Sequence, residues 1–240
     1  MGCTSSDAGA AGTPGSKMGG SKEQIVVRYF DIGHGRASGI KLLLAHSGAN
    51  WTFDGVNPAE WPTIKGSGKT GEFKGLPFVK QGNRTLDLNV PTIRCLAMEH
   101  GYYPASDWKK AATADMLAET WSDIFSKWGA ALIDDKLSDQ EKAKVLIDSL
   151  DEGAIGGKLF KQIELAINKF GGKFITGNTM THADFLMASL FHDYFYNATS
   201  PFRPAIAPIL ESKYPAMVAY SKALGDELAG ILSKREAKPF

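Results

Sequence analysis

Apolar and polar positions divide the chain into three textures. Residues 1–22 are rich in Gly, Ala, Ser and Thr, with almost no large apolar side chain. They predict a flexible tail, because too little surface can be buried there to offset the entropy of ordering. From Gln24 the pattern changes to Ile25-Val26-Val27-Arg28-Tyr29-Phe30, a strand by its β-branched and aromatic content. A glycine turn, Asp31-Ile32-Gly33-His34-Gly35-Arg36, leads into a helix with Ile40, Leu43 and Leu44 along one side, joined by Ala37 and Ser47. Strand, turn and helix open a βαβ unit. Farther on, Leu76-Pro77-Phe78-Val79, a turn at 80–83 and Arg84-Thr85-Leu86 predict a hairpin. The corner Asp87-Leu88-Asn89 then feeds a helix from Val90, with Asn89 as N-cap and Pro91 in the first turn, where its missing N–H costs little.

The third texture is helical. Gly101-Tyr102-Tyr103-Pro104-Ala105-Ser106 breaks the pattern and reads as a short linker. Beyond it, Trp108 to Leu132 carries Ala114, Leu117, Ala118, Trp121, Ile124, Phe125, Trp128 and Leu132 as a broad apolar stripe. Another amphipathic helix spans 154–170 and stops at Gly171-Gly172. Thr181-His182-Ala183-Asp184-Phe185 supplies a capping arrangement, with Thr181 as N-cap, Asp184 reaching back and Met180 stapled against Phe185. The predicted organisation is a tail over 1–22, an α/β domain over 23–102 and an all-helical domain over 105–240.

Composition narrows the class. At 240 residues, 43% hydrophobic and 22% charged, the chain can build one large or two modest cores. A net charge of +1 with interspersed signs gives no electrostatic reason to expect nucleic acid. Cys3 and Cys95 are far apart and form neither a disulfide framework nor a Cys-x-x-Cys site, which fits a reducing, cytoplasmic compartment. Five histidines, His34, His46, His100, His182 and His192, show no ligand spacing, so no metal is expected. Gly66-Ser67-Gly68-Lys69-Thr70 looks like the end of a P-loop, but the first glycine of that pattern would fall at Thr63 and a Trp-Pro loop precedes it.

The tail begins Met1-Gly2-Cys3-Thr4-Ser5-Ser6, a match to the N-myristoylation pattern with Gly2 as acceptor. Cys3 beside it is a ready palmitoylation site, and two chains give stable anchoring where one does not. The reading is cytoplasmic, with anchoring to the cytoplasmic face of a membrane as an expectation against that of a tail that merely begins this way.

The hairpin region carries the candidate chemistry. Pro77 opens a strand, in cis or trans, and holds Leu76 extended with its backbone free to pair with an extended peptide. The neighbouring helix N-terminus favours a carboxylate. Together they suit a short acidic peptide. From Leu76-Pro77 through Arg94-Cys95-Leu96-Ala97 the chain resembles, without a gap, the glutathione-binding unit of cytosolic glutathione transferases. Tyr29-Phe30, the glycine turn and Arg36 resemble the opening of the tyrosine-type, sigma- or mu-like classes, with one extra residue before Arg36. Trp61-Pro62-Thr63-Ile64-Lys65, Asp115 with Phe125 ten residues on, the Thr181–Phe185 box and the close at Pro239-Phe240 add to the resemblance, which covers residues 24–240.

That resemblance implies a thioredoxin-like α/β domain followed by an all-α domain, a homodimer, and glutathione as co-substrate without a cofactor. It implies Tyr29 as thiol activator with Arg36 near the sulfur. Trp61, Lys65, Leu76, Pro77, Asn89 and Asp115 would bind glutathione, and Phe30 and Phe125 would face a small apolar electrophile. A phenol donating to the sulfur favours thiolate over thiol, which ordinarily ionises near pH 8.5. The family's Gln-Ser pair is replaced here by Leu88-Asn89. This keeps a second class open: a membrane-tethered, catalytically weak binding or structural module.

Overall fold

The computed structural model describes residues 23–68 and 70–238, so Gly2 and Cys3 lie outside the described residues. Four strands form one mixed sheet in the order β2-β1-β3-β4. Strand β1 (Ile25–Phe30) pairs parallel to β2 (Trp51–Val56) and antiparallel to β3 (Phe78–Gln81), which forms a hairpin with β4 (Arg84–Asp87). A parallel pair needs a crossover, and helix α1 (Ser38–Ser47) supplies it between β1 and β2. Ile40, Leu42, Leu43 and Leu44 of α1 are each at most 1% exposed. The expected βαβ start is present, with β2 as a strand that propensity alone leaves inconspicuous.

The Trp-Pro stretch is less irregular than its prolines suggest. A 3-10 turn over Pro58–Glu60 leads into helix α2 (Trp61–Gly66), with Asn57 accepting from the Ala59 N–H at 3.0 Å. Both prolines fall where a helix start tolerates them, since the first N–H groups have no intrahelical partner. The glycine run after α2 thus follows a helix and not the strand a P-loop requires.

Helix α3 (Asn89–His100) is followed by the all-helical part: α4 (Trp108–Leu132), α5 (Asp139–Asp148), α6 (Ile155–Phe170), α7 (His182–Ser189), α8 (Arg203–Lys213) and α9 (Pro215–Leu232). All eight residues of α7 are buried, and a π-turn over Leu190–Phe195 extends it. Its surroundings are α1, α3, α4 and α9, so a single apolar core runs through both halves of the molecule. Gly39 makes the seam close: a Cβ there would sit 2.9 Å from the Leu186 side chain and 3.3 Å from the Phe185 carbonyl. The N-terminal box works as expected, with Asp184 accepting from the Thr181 N–H at 2.7 Å and from its hydroxyl at 2.8 Å.

Candidate active site

Strand register brings the predicted site residues to one end of the sheet. The β1–β3 ladder ends at Arg28 opposite Phe78, and Phe78 also faces Asp87 on β4. Tyr29 and Phe30 therefore leave β1 beside the Leu76-Pro77 bond, which is cis, and beside the corner that opens α3. The last β1–β2 pair, Phe30 with Val56, sends the segment carrying Trp61 and Lys65 out at the same end. Phe30 touches both sides, with ring centroids 5.6 Å from Tyr29 and 5.9 Å from Trp61, each edge-on. Trp61 and Lys65 are four apart on α2 and share a face, with Lys65 exposed in the last turn.

Tyr29 is built into its turn. Its phenol oxygen accepts from the Arg36 backbone N–H at 3.2 Å, which leaves its own hydrogen to be donated elsewhere. Burial raises the phenol above its ordinary pKa, the Arg36 N–H and charge pulling the other way, so it stays a neutral donor at physiological pH. The ring rests on Gly35, which has a φ of +51°, and a Cβ there would come within 2.5 Å of the ring and 2.6 Å of the hydroxyl. Gly35→Ala thus adds left-handed strain of about 1–2 kcal/mol and also displaces the phenol. We expect at least a tenfold loss of kcat with a small change in thermal stability; a wild-type kcat would show that the turn moves freely.

Arg36 holds the turn at three points. Besides its N–H to Tyr29, its carbonyl accepts from the Asn89 side-chain amide. Its guanidinium donates to Ser126 Oγ at 2.6 Å and lies 5.3 Å from the centre of the Phe125 ring. The side chain expected near a sulfur is therefore directed to α4, and it is the backbone amide that reaches the phenol. Asn89 also departs from expectation. Helix α3 begins at Asn89 itself, Leu88 takes the N-cap position at φ +64°, and the Asn89 side chain ties α3 to the β1–α1 turn rather than capping. Leu88 is 48% exposed at that corner.

Phe125 is 5% exposed, stacked on Trp121 at 4.8 Å and edge-on to Tyr194 at 5.5 Å. Asp115 lies in a cluster between α3, α4 and α7. Tyr103 Oη donates to it at 2.9 Å, Arg94 is 3.4 Å away and His182 Nε2 is 3.1 Å from Oδ1. Burial pushes this carboxyl up, but the partners His182, Tyr103 and Arg94 outweigh it and hold it below the usual range. Sequence patterning singled out neither Gly35 as the plate under the phenol nor Ser126 as the anchor of Arg36; only a residue's neighbours across the fold reveal such roles.

The model for the glutathione S-transferase C-terminal domain matches residues 122–227. Glutathione S-transferase P 1 of Xenopus laevis is 27% identical over 201 residues, 83% of this chain and 86% of that protein. The class-mu 28 kDa glutathione S-transferase isozyme of Schistosoma mansoni is 25% identical over 229 residues, 91% of this chain and 99% of that protein. The chain is thus similar to glutathione transferases along most of its length. Its fold agrees with a solved sigma-class glutathione transferase of Fasciola hepatica, at a TM-score of 0.72 and 22% identity over 92% of this chain and all of that one. In this chain the cis bond at Leu76-Pro77, the start of α3 and Tyr29 at the end of β1 lie at one end of the sheet.

Proposed function

We propose that the chain is a glutathione transferase that joins the glutathione thiolate to small apolar electrophiles. The observation that carries this reading is the convergence, at one sheet end, of a phenol with a spare donor hydrogen, the Leu76 backbone before a cis proline, and a helix N-terminus. Each meets a different part of the tripeptide. The Leu76 backbone pairs with the cysteinyl unit, the α3 start with Asn89 takes the γ-glutamyl carboxylate, and Trp61 with Lys65 takes the glycyl end. Tyr29 then donates to the sulfur, lowering the thiol pKa by favouring the charged form. The nucleophilic thiolate attacks the electrophilic carbon, forming the C–S bond as the leaving group departs with its electron pair. Phe30 and the rim of Phe125 face the electrophile. Asp115, held on its own subunit by Tyr103, Arg94 and His182, would face the γ-glutamyl amine of a second subunit in a homodimer through the edge it leaves exposed. Retention on immobilised glutathione and turnover of 1-chloro-2,4-dinitrobenzene test the reading; a protein that does neither is not a transferase.

Leu88 sets the affinity. Its side chain has no hydrogen-bonding group, and it is exposed at the corner that opens α3. Leu88→Gln places an amide beside the bound γ-glutamyl group, and a hydrogen bond to a charged partner is worth about 1.5–3 kcal/mol. Glutathione should bind about tenfold or more tightly in the variant by calorimetry; unchanged affinity would place the γ-glutamyl group elsewhere. The catalytically weak alternative draws on this same substitution.

The sequence pattern at Gly2 and Cys3 supports a cytoplasmic protein tethered to a membrane by acyl chains, although no helix of the described residues is long and apolar enough to cross one. In eukaryotic cells Gly2→Ala should shift the protein from the membrane to the soluble fraction. An unchanged distribution would argue against acylation at Gly2.

A further inference from the structure

We infer that a second ligand site, for a small aromatic carboxylate, lies between α1, β2 and the segment that follows α9. A cavity of about 200 Å³ opens there, lined by Lys41, Trp51, Phe53, Ile231, Arg235 and Lys238 among others. Its chemistry is uneven. Lys41 lies half-buried with its ammonium 4.5 Å from the centre of the Phe53 ring, and among the described residues no carboxylate stands within ion-pair distance of it.

The other charges facing Lys41 are already engaged. Arg235 pairs with the buried Asp193 at 2.8 Å and donates to Ser38 Oγ at 3.0 Å. Lys238 donates to the Asp31 carbonyl and stands 3.4 Å from Glu236, which is 77% exposed. His34 adds no charge: burial, with the nearby cations, lowers it to about 3, and its Nε2 lies 3.2 Å from the Glu236 carbonyl. Three cations thus share the region with two acids, and Lys41 is the one left over. Burial lowers its amine to about 8, with the charges of Arg235 and Lys238 adding to the shift and Asp193 and Glu236 opposing it. A half-buried ammonium among like charges is an arrangement that a bound anion relieves.

The walls define the rest of the ligand. Trp51, Phe53, Leu42 and Ile231 offer apolar surface to a ring, while Lys41 meets its carboxylate, with the engaged Arg235 and Lys238 adding positive charge nearby. An apolar cavity of roughly 150 Å³ holds benzene, so the volume here admits one ring with a carboxylate on it. None of these residues is assigned to the glutathione site, and the inference stands whether or not that assignment does.

Benzoate is the probe, with benzyl alcohol as its neutral counterpart. Trace acetylation of the whole protein, read residue by residue by mass spectrometry across pH, should give Lys41 an apparent pKa near 8, so that about half is neutral at pH 8. Saturating benzoate should raise that pKa and protect Lys41, and benzyl alcohol should not. Lys41→Gln should weaken benzoate binding at least tenfold by calorimetric titration, with an unchanged circular dichroism spectrum, and Lys161→Gln, at an exposed position of α6 outside the cavity lining, should leave it as in wild type. The inference is overturned if benzoate leaves Lys41 labelling unchanged, or if Lys41→Gln binds benzoate as wild type does.

Discussion

With Tyr29 as the proposed thiol activator, we expect its replacement by phenylalanine to lower kcat/KM for conjugation by about 10²–10³-fold while leaving the fold intact, the loss typical of removing one preorganised donor to a developing or resident anion. The ring keeps its edge-on contact with Phe30, which does not involve the hydroxyl. Only the hydroxyl goes, and with it the proposed donor to sulfur; the Arg36 N–H bonded to it loses its acceptor. The thiol of bound glutathione then ionises at higher pH. A hundredfold loss corresponds to about 2 pKa units, so the rising limb of the pH–rate profile moves up by that amount. The direction follows from which form is stabilised: the donor favours the thiolate, so its removal shifts ionisation upward. Thiolate absorbance in the binary complex should show the same displacement. An unmoved limb with reduced kcat would mean that Tyr29 acts on the electrophile and not on the sulfur.

Asp184→Ala has the second large effect, on stability. The carboxylate is fully buried and accepts four hydrogen bonds: from the Ile175 N–H at 3.0 Å, the Thr181 N–H at 2.7 Å, the Thr181 hydroxyl at 2.8 Å and Tyr220 Oη at 2.7 Å. Burial pushes this carboxyl up, and the four donors act against that shift. The substitution strands those donors in the interior beside the start of α7, which lies at the centre of the core. Breaking such a buried charged arrangement costs about 3–5 kcal/mol. For a chain of this size each kcal/mol moves Tm by about 2–4 °C, so a loss of roughly 6–20 °C is expected in a thermal melt. Activity per folded molecule should be close to wild type, since Asp184 lies away from the sulfur-binding end. A variant destabilised by less than about 1 kcal/mol would mean that water or a shift of the 175–181 segment satisfies the donors.

The two predictions draw on different kinds of information. The capping box at Thr181 and Asp184 is local, formed by residues three apart, and the motif alone announced the start of α7. The Tyr220 bond to the same carboxylate spans 36 residues and no local pattern contains it. At the site, Tyr29, Leu76-Pro77 and the α3 start stood out because strand, turn and helix signals are set by near neighbours. Arg36 and Asn89 read locally as a side chain near a sulfur and as a cap. In the structure the Asn89 amide reaches the Arg36 carbonyl 53 residues away, and the Arg36 guanidinium reaches Ser126 90 residues away. Strand β2 and helix α2 were also hard to see. Strand β2 is largely exposed along its length, and prolines masked the helix that they start.

Taken alone, the sequence determined the α/β-then-helical division, strand β1, the β3–β4 hairpin and the box that opens α7, since hydrophobic period, turn and capping residues act over a few positions. Tertiary structure decided which atoms of those elements meet: that an amide and not a guanidinium contacts the phenol, that a glycine supports its ring, and that among the described residues no carboxylate stands within pairing distance of Lys41. Those outcomes depend on contacts between residues distant along the chain, fixed by strand register and helix packing, and no short-range pattern encodes them.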